Sequence, residues 1–194
     1  MNSIGTMLEE SIAELAALLP GVVALGPALG RLADAMVDCW RRRGKVLIAG
    51  NGGSSADAMH FAEELVVRFG TDRQALAAIA LCDPTVLTCC ANDYGFDRVF
   101  SRQVEALGNA GDLLIIMSSS GQSQNLILAL QAAKAQGLIT AAFLGKTGGQ
   151  ALGLADIELL VPSVSTARIQ ESHKLLFHTL CRWVDERYQT QSAN

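Results

Sequence analysis

The stretch Lys45–Glu64, KVLIAGNGGSSADAMHFAEE, constrains this chain more than any other. Val46–Ala49 is a short apolar run that reads as a buried strand, and Gly50-Asn51-Gly52-Gly53-Ser54 interrupts it. A helix-compatible segment follows, with His60 and Glu64 one turn apart. Strand, small-residue loop and helix start together make an anion-binding corner. Glycine lets the backbone approach a ligand closely, and a helix N-terminus presents unpaired N–H groups. Residues at i and i+4 leave the same helix face, so His60 and Glu64 offer a base or metal-ligand pair at the corner's edge.

The rest of the chain repeats the strand–helix alternation. Five apolar runs read as strands: Val46–Ala49, Leu76–Leu81, Leu113–Met117, Thr140–Leu144 and Ile157–Val161. Helical patterns separate them around residues 54–68, 84–107, 123–136 and 148–154. This spacing predicts an α/β fold with a doubly wound, five-stranded parallel sheet. Composition agrees, because half of the residues are apolar while only 18% are charged and 5% aromatic. Such a core suits helices packed on a parallel sheet.

At 194 residues the chain fits one domain, with helices at about 6–18 and 26–43 before the sheet and a closing helix from about Ala167 to Arg187. Met7, Ile12, Leu15 and Leu18 favour one apolar face. That face either packs within the subunit or helps bury a subunit interface.

Charge and targeting signals narrow the class. A formal net charge of −4 argues against a nucleic-acid binder working through a broad basic surface. No run approaches the ~20 apolar residues of a membrane span, so no membrane partner is expected. The N-terminal segment carries Glu9, Glu10 and Glu14 and lacks the basic region of a signal peptide. Five cysteines, an odd number without C-x-x-C spacing, are expected to be reduced in a cytoplasmic protein.

A second loop, Ser118-Ser119-Ser120-Gly121-Gln122-Ser123, follows the run Leu113–Met117 directly. In open parallel sheets, ligands bind beyond the carboxyl ends of strands. One serine suffices to cap a helix, whereas four around one glycine read as a phosphate cradle. Neither loop is G-x-G-x-x-G or a Gly-Lys-Ser/Thr loop, so no nucleotide cofactor is expected and a small phosphorylated metabolite fits better.

In the closing helix, Gln170, Lys174, His178 and Cys181 fall in one stripe, and His173 points elsewhere. On spacing alone, His178 reads as an ordinary hydrogen-bonded or surface histidine.

GNGGSSADAMHFAEELVVRF, ANDYGFDRVFSRQVEALG, SSSGQS and RIQESHKLLFH resemble the phosphoheptose isomerases of the sugar isomerase (SIS) family across nearly the whole chain. The resemblance implies an aldose–ketose isomerase converting sedoheptulose 7-phosphate to D-glycero-D-manno-heptose 7-phosphate for bacterial surface heptose and lipopolysaccharide. It implies a zinc ion held by His60, Glu64, Gln170 and His178, and a substrate site lined by Asn51, Gly52, Gly53, Ser54, Asn92, Asp93, Ser118, Ser119, Ser120 and Ser123. Glu64 and Gln170 also face the substrate in this reading. The family assembles as homotetramers with active sites built from neighbouring subunits. Glu64 is the expected proton-transfer base and His178 its acid/base partner. Zinc would polarise the carbonyl, while a metal-free reading with Glu64 and His178 alone stays open.

The chain departs from the family pattern at Ala167, where some members carry aspartate, at Gln122 in place of asparagine, and at Ser55-Ala56. A non-catalytic tetrameric scaffold binding the replication initiator is the alternative. It shares the Ala-Arg-Ile-Gln-Glu stretch, but that group is eroded at positions intact here, His60, Glu64 and His178.

Overall fold

The alternation along each strand decides which helices it serves. Val46 and Ile48 point into one hydrophobic cluster, while Leu47 and Ala49 between them point into another. The neighbouring strand divides the same way, with Leu113, Ile115 and Met117 on one face and Leu114 and Ile116 on the other. A strand buried on both faces needs helices on both sides.

The computed structural model describes residues 2–189. The strands are β1 (Val46–Gly50), β2 (Ala78–Ala80), β3 (Leu113–Ser118), β4 (Ile139–Leu144) and β5 (Ile157–Leu160). All pair in parallel, in the order β2-β1-β3-β4-β5. The helices are α1 (Ile4–Val23), α2 (Gly26–Arg41), α3 (Gly53–Val66), α4 (Pro84–Tyr94), α5 (Ser101–Leu107), α6 (Gln124–Ala135) and α7 (Thr166–Gln189). α1, α2, α3 and α7 cover one face through Leu18, Met36, Phe61 and Phe177. α4, α5 and α6 cover the other through Cys90, Val104 and Leu130. This is the five-stranded doubly wound sheet that the spacing predicts.

Three elements differ from expectation, two of them for local reasons. The helix expected over 84–107 breaks at Gly95, whose φ of 86° no helix accepts, and resumes as α5 after a turn at Phe96–Arg98. The helix expected over 148–154 is one 3-10 turn, Gly149–Ala151, because Gly148, Gly149 and Gly153 all have positive φ. The second strand is confined to Ala78–Ala80. No single helix among the described residues is long and apolar enough to cross a membrane. All five cysteines are free thiols.

The apolar face of α1 divides. Leu18 packs into the core, but Met7 and Ile12 are 49% and 59% exposed in the isolated chain. α7 anchors α1 through Arg168, whose Nη1 donates to the Ser11 carbonyl at 2.5 Å.

His173 fixes α7 against β4. Its ring is fully buried, with Nε2 3.1 Å from the Leu144 carbonyl and its edge on Phe143. Burial pushes its pKa down to about 4. The unfolded chain therefore binds a proton near pH 6.5 that the folded chain refuses, so this contribution is complete above that pH. It is lost as pH falls toward 4, at up to about 1.4 kcal/mol per pH unit. Denaturant unfolding at pH 7 and pH 5 is expected to show this loss, and a folded His173→Asn variant a flatter dependence.

Candidate active site

β1 and β3 are neighbours, yet the helices that follow them, α3 and α6, leave on opposite faces of the sheet. The loops Gly50–Ser54 and Ser118–Ser123 therefore part above the sheet and open a crevice at the carboxyl ends of the strands. A cavity of about 230 Å³ fills it, lined by Asn51 and Ser54 on one side and Ser118, Ser119, Ser120 and Ser123 on the other. Gln170 and Thr166 at the start of α7 close it. No Lys or Arg is among the lining residues.

The serines are not equivalent. Ser118 is buried, and its Oγ accepts from the Gly121 N–H at 3.0 Å, which holds the loop closed. Ser120 Oγ accepts from the Gln122 N–H at 3.3 Å. Ser123 stands at the N-cap of α6, but its hydroxyl makes no capping bond, and the residue lines the cavity. The loop is braced from outside: a Cβ on Gly121 would lie 1.8 Å from the Gly148 carbonyl oxygen, so only glycine fits there. Gly53 packs close to Gln170, whose movable Nε2 a Cβ there would meet at 2.8 Å. Gly52, at φ 56°, turns the chain into α3.

Two lining or supporting residues were missed in the sequence. Thr166 reaches the cavity because α7 starts one residue earlier than expected. Asn125 is buried and exchanges two side-chain hydrogen bonds with Asn51, both 3.0 Å, which ties the two loops together. Nothing in the linear spacing of 51 and 125 announces that pair.

Further along the groove between α3 and α7, His60, Glu64 and His178 converge. His60 Nε2 is 3.1 Å from Glu64 Oε1, and the imidazoles of His60 and His178 lie 5.1 Å apart. One ligand atom from each of the three lies within 4.8 Å of the others. His178 Nε2 is buried without a hydrogen-bond partner. Burial, with the neighbouring His60, holds the His178 pKa below its ordinary value against the opposing pull of Glu64. Two imidazoles and a carboxylate are a donor set that zinc accepts, at bonds of about 2.0–2.1 Å. The unpartnered Nε2 fits such an ion.

Gln170 lines the serine crevice. It stands eight residues before His178, about 12 Å along the helix at 1.5 Å per residue. One chain thus assembles three of the four residues expected around a metal, and places the fourth in the serine crevice. Asn92 and Asp93 also lie apart, exposed at the end of α4 and bonded to one another at 2.7 Å. A larger apolar cavity of about 470 Å³ lies between α4 and α5, but the polar groups of Arg102 and Gln103 there are already engaged.

Residues 12–145 match the SIS domain. Over 182 residues the chain is 49% identical to the phosphoheptose isomerase of Paramagnetospirillum magneticum, covering 93% of this chain and 95% of that one. It belongs to the phosphoheptose isomerases of the SIS family. Among solved structures, phosphoheptose isomerase GmhA from Neisseria gonorrhoeae superposes with a TM-score of 0.88 at 41% identity, covering 95% of this chain and all of that one. A phosphoheptose isomerase from Francisella tularensis gives 0.91 at 38%, covering 96% and 100%. The family chemistry is isomerisation of a phosphosugar, which suits a hydroxyl-lined anion crevice near a carboxylate–imidazole pair.

The unequal serines lead to a test. Ser123→Ala and Asn125→Ala are each expected to raise KM far more than they lower kcat, because phosphate charge does not change during isomerisation. Steady-state kinetics with inorganic phosphate as competitor would read this directly. A kcat defect at unchanged phosphate affinity would place the phosphate elsewhere.

Proposed function

We propose that this chain, acting as one SIS unit over 1–194, interconverts sedoheptulose 7-phosphate and D-glycero-D-manno-heptose 7-phosphate in the cytoplasm, supplying surface heptose for lipopolysaccharide. The convergence of Glu64 and His178 beside a serine crevice carries this reading. The phosphate sits in the crevice on the Ser119, Ser120 and Ser123 hydroxyls and the Gly52 and Gly53 N–H groups, with Ser118 holding the loop and Asn51 tying it to Asn125. Backbone amides and hydroxyls replace cations here, as they do at other helix starts that bind anions.

Glu64 takes the proton from C1 of the ketose and returns it to C2. His178, whose pKa is lowered by partial burial and the neighbouring His60, passes the O1 proton toward O2. Zinc held by His60, Glu64 and His178 would supply Lewis-acid polarisation of the carbonyl oxygen. Phe177 lies edge-on to both imidazoles, at 5.4 Å from His60 and 4.6 Å from His178, and fixes their orientation.

Three observations support a homotetramer with shared sites. Gln170 lines the serine crevice of its own chain while His60, Glu64 and His178 converge farther along, which leaves room for a fourth ligand from the Gln170 of a neighbouring copy. Asn92 and Asp93 face solvent outside their own crevice. The Met7–Ile12 face of α1 is uncovered. The relatives named above are isomerases, and none supports the scaffold alternative.

Incubation with sedoheptulose 7-phosphate and product analysis is the primary test. Glu64→Gln keeps size and hydrogen bonding but cannot accept a carbon-bound proton, so kcat is expected to fall by about 10²–10⁴ in a folded protein. Near-normal turnover would move the base elsewhere. Subunit mixing separates the assembly question. Glu64→Gln with His178→Ala should recover nothing, since both residues meet within one chain. Glu64→Gln with Gln170→Ala should recover part of the activity, and no recovery after proven subunit exchange would refute a trans Gln170.

A further inference from the structure

The most completely buried ion pair in the described chain lies outside the crevice. The Arg73 side chain is fully buried and that of Asp185 only 5% exposed. Arg73 Nε donates to Asp185 Oδ1 at 2.6 Å, and its Nη2 donates to the Glu64 carbonyl at 2.7 Å. Nη1 is shared between the carbonyls of Leu65 and Gln74, both at 2.9 Å. Asp185 Oδ2 accepts the N–H groups of Gly70 and Thr71, at 2.7 and 3.1 Å. Apart from their mutual bond, all of these contacts go to backbone between 64 and 74. The pair therefore folds the connection after α3 back across that helix's end.

What this places is Phe69, the residue before the tethered Gly70. Its ring centroid lies 5.4 Å from that of His178, tilted by 32°. Phe177 and His60 stand edge-on to the same imidazole, at 4.6 and 5.1 Å. Phe69 is itself 37% exposed, so it covers His178 rather than filling a core. The Arg73 contact to the Glu64 carbonyl fixes the other partner of the pair through its backbone.

We propose that Phe69 is a positioning residue that keeps water from the Glu64–His178 pair during proton transfer, held in place by the buried Arg73–Asp185 pair. This rests on the reading that Glu64 and His178 carry the 1,2-proton shift. In that shift the C1–H bond breaks, its proton moves to Glu64, and its electron pair forms the C1=C2 bond of an enediolate with the negative charge on O2. The O1 proton passes to O2, and the proton on Glu64 then forms the new C2–H bond. A proton waiting on the carboxyl exchanges with any water that reaches it, and the product then carries solvent hydrogen at C2. Water exclusion suppresses this leakage.

The test is isomerisation of sedoheptulose 7-phosphate in D₂O at early conversion, with deuterium at C2 of the product measured by mass spectrometry or NMR. The wild-type chain should retain part of the original hydrogen, and Phe69→Leu, which keeps apolar bulk, should stay close to it. Phe69→Ala should raise the deuterium share several-fold, whatever happens to kcat. Phe69→Val carries the same comparison where turnover of the alanine variant is too slow. General loosening of the fold lowers melting temperature or kcat without changing how the proton partitions. An unchanged share in the alanine or valine variant would overturn the proposal, as would a wild-type product already fully deuterated. Failure of the proton-shift reading shows separately, as undiminished turnover by Glu64→Gln in ordinary water.

Discussion

β1 pairs with β3 along its whole length, from Val46 against Leu113 to Gly50 against Met117, and their helices then part. Both strands are buried on both faces, so each must be followed by a helix that covers one side, and these two take opposite sides. The gap above that junction is where the crevice opens. Its walls are the ends of two strands and the starts of α3 and α6, which carry free N–H groups and short hydroxyl side chains. An anion held this way needs no lysine, and a chain of net charge −4 can bind a phosphate ester without a basic surface.

The second layer of the site is the pairing of α3 with α7. Gly53 packs on Gln170, Asp57 Oδ1 pairs with Lys174 Nζ at 3.1 Å, and His60 meets His178. The two helices thus descend side by side from the crevice, with contacts at successive turns. Lys174, the stripe residue to which no role was assigned, turns out to cross-link the helices between Gln170 and His178. The same geometry divides the labour. The hydroxyl-lined crevice stays at the carboxyl ends of the strands, while the imidazole–carboxylate cluster lies farther down, walled by Phe177 and Phe69. Such a wall lowers the local dielectric, and the depressed His178 pKa is one consequence.

Much of this was legible in the linear chain. Apolar runs of four to six residues between helical patterns indicate strands, and they fell where β1, β3, β4 and β5 lie. His60 with Glu64 on one face is a matter of helical periodicity, and so is the separation of His173 from His178. Boundaries failed where single backbone angles decided them. Gly95 and the Gly148–Gly149 turn adopt positive φ, which a hydrophobic pattern does not register.

Determined by the sequence alone were the parallel α/β architecture, the two small-residue loops and the separate helical faces carrying the polar side chains. These depend on period and composition, which are local. Only the tertiary structure decided which faces meet. It paired Asn51 with Asn125, set Arg73 against Asp185, and brought His178 to His60 and Glu64 while leaving Gln170 in the crevice. The physical reason is that a helix is rigid and about 1.5 Å long per residue. Two residues sharing a stripe can still stand a dozen ångströms apart, and only packing against a neighbour tells which of them reaches a given site.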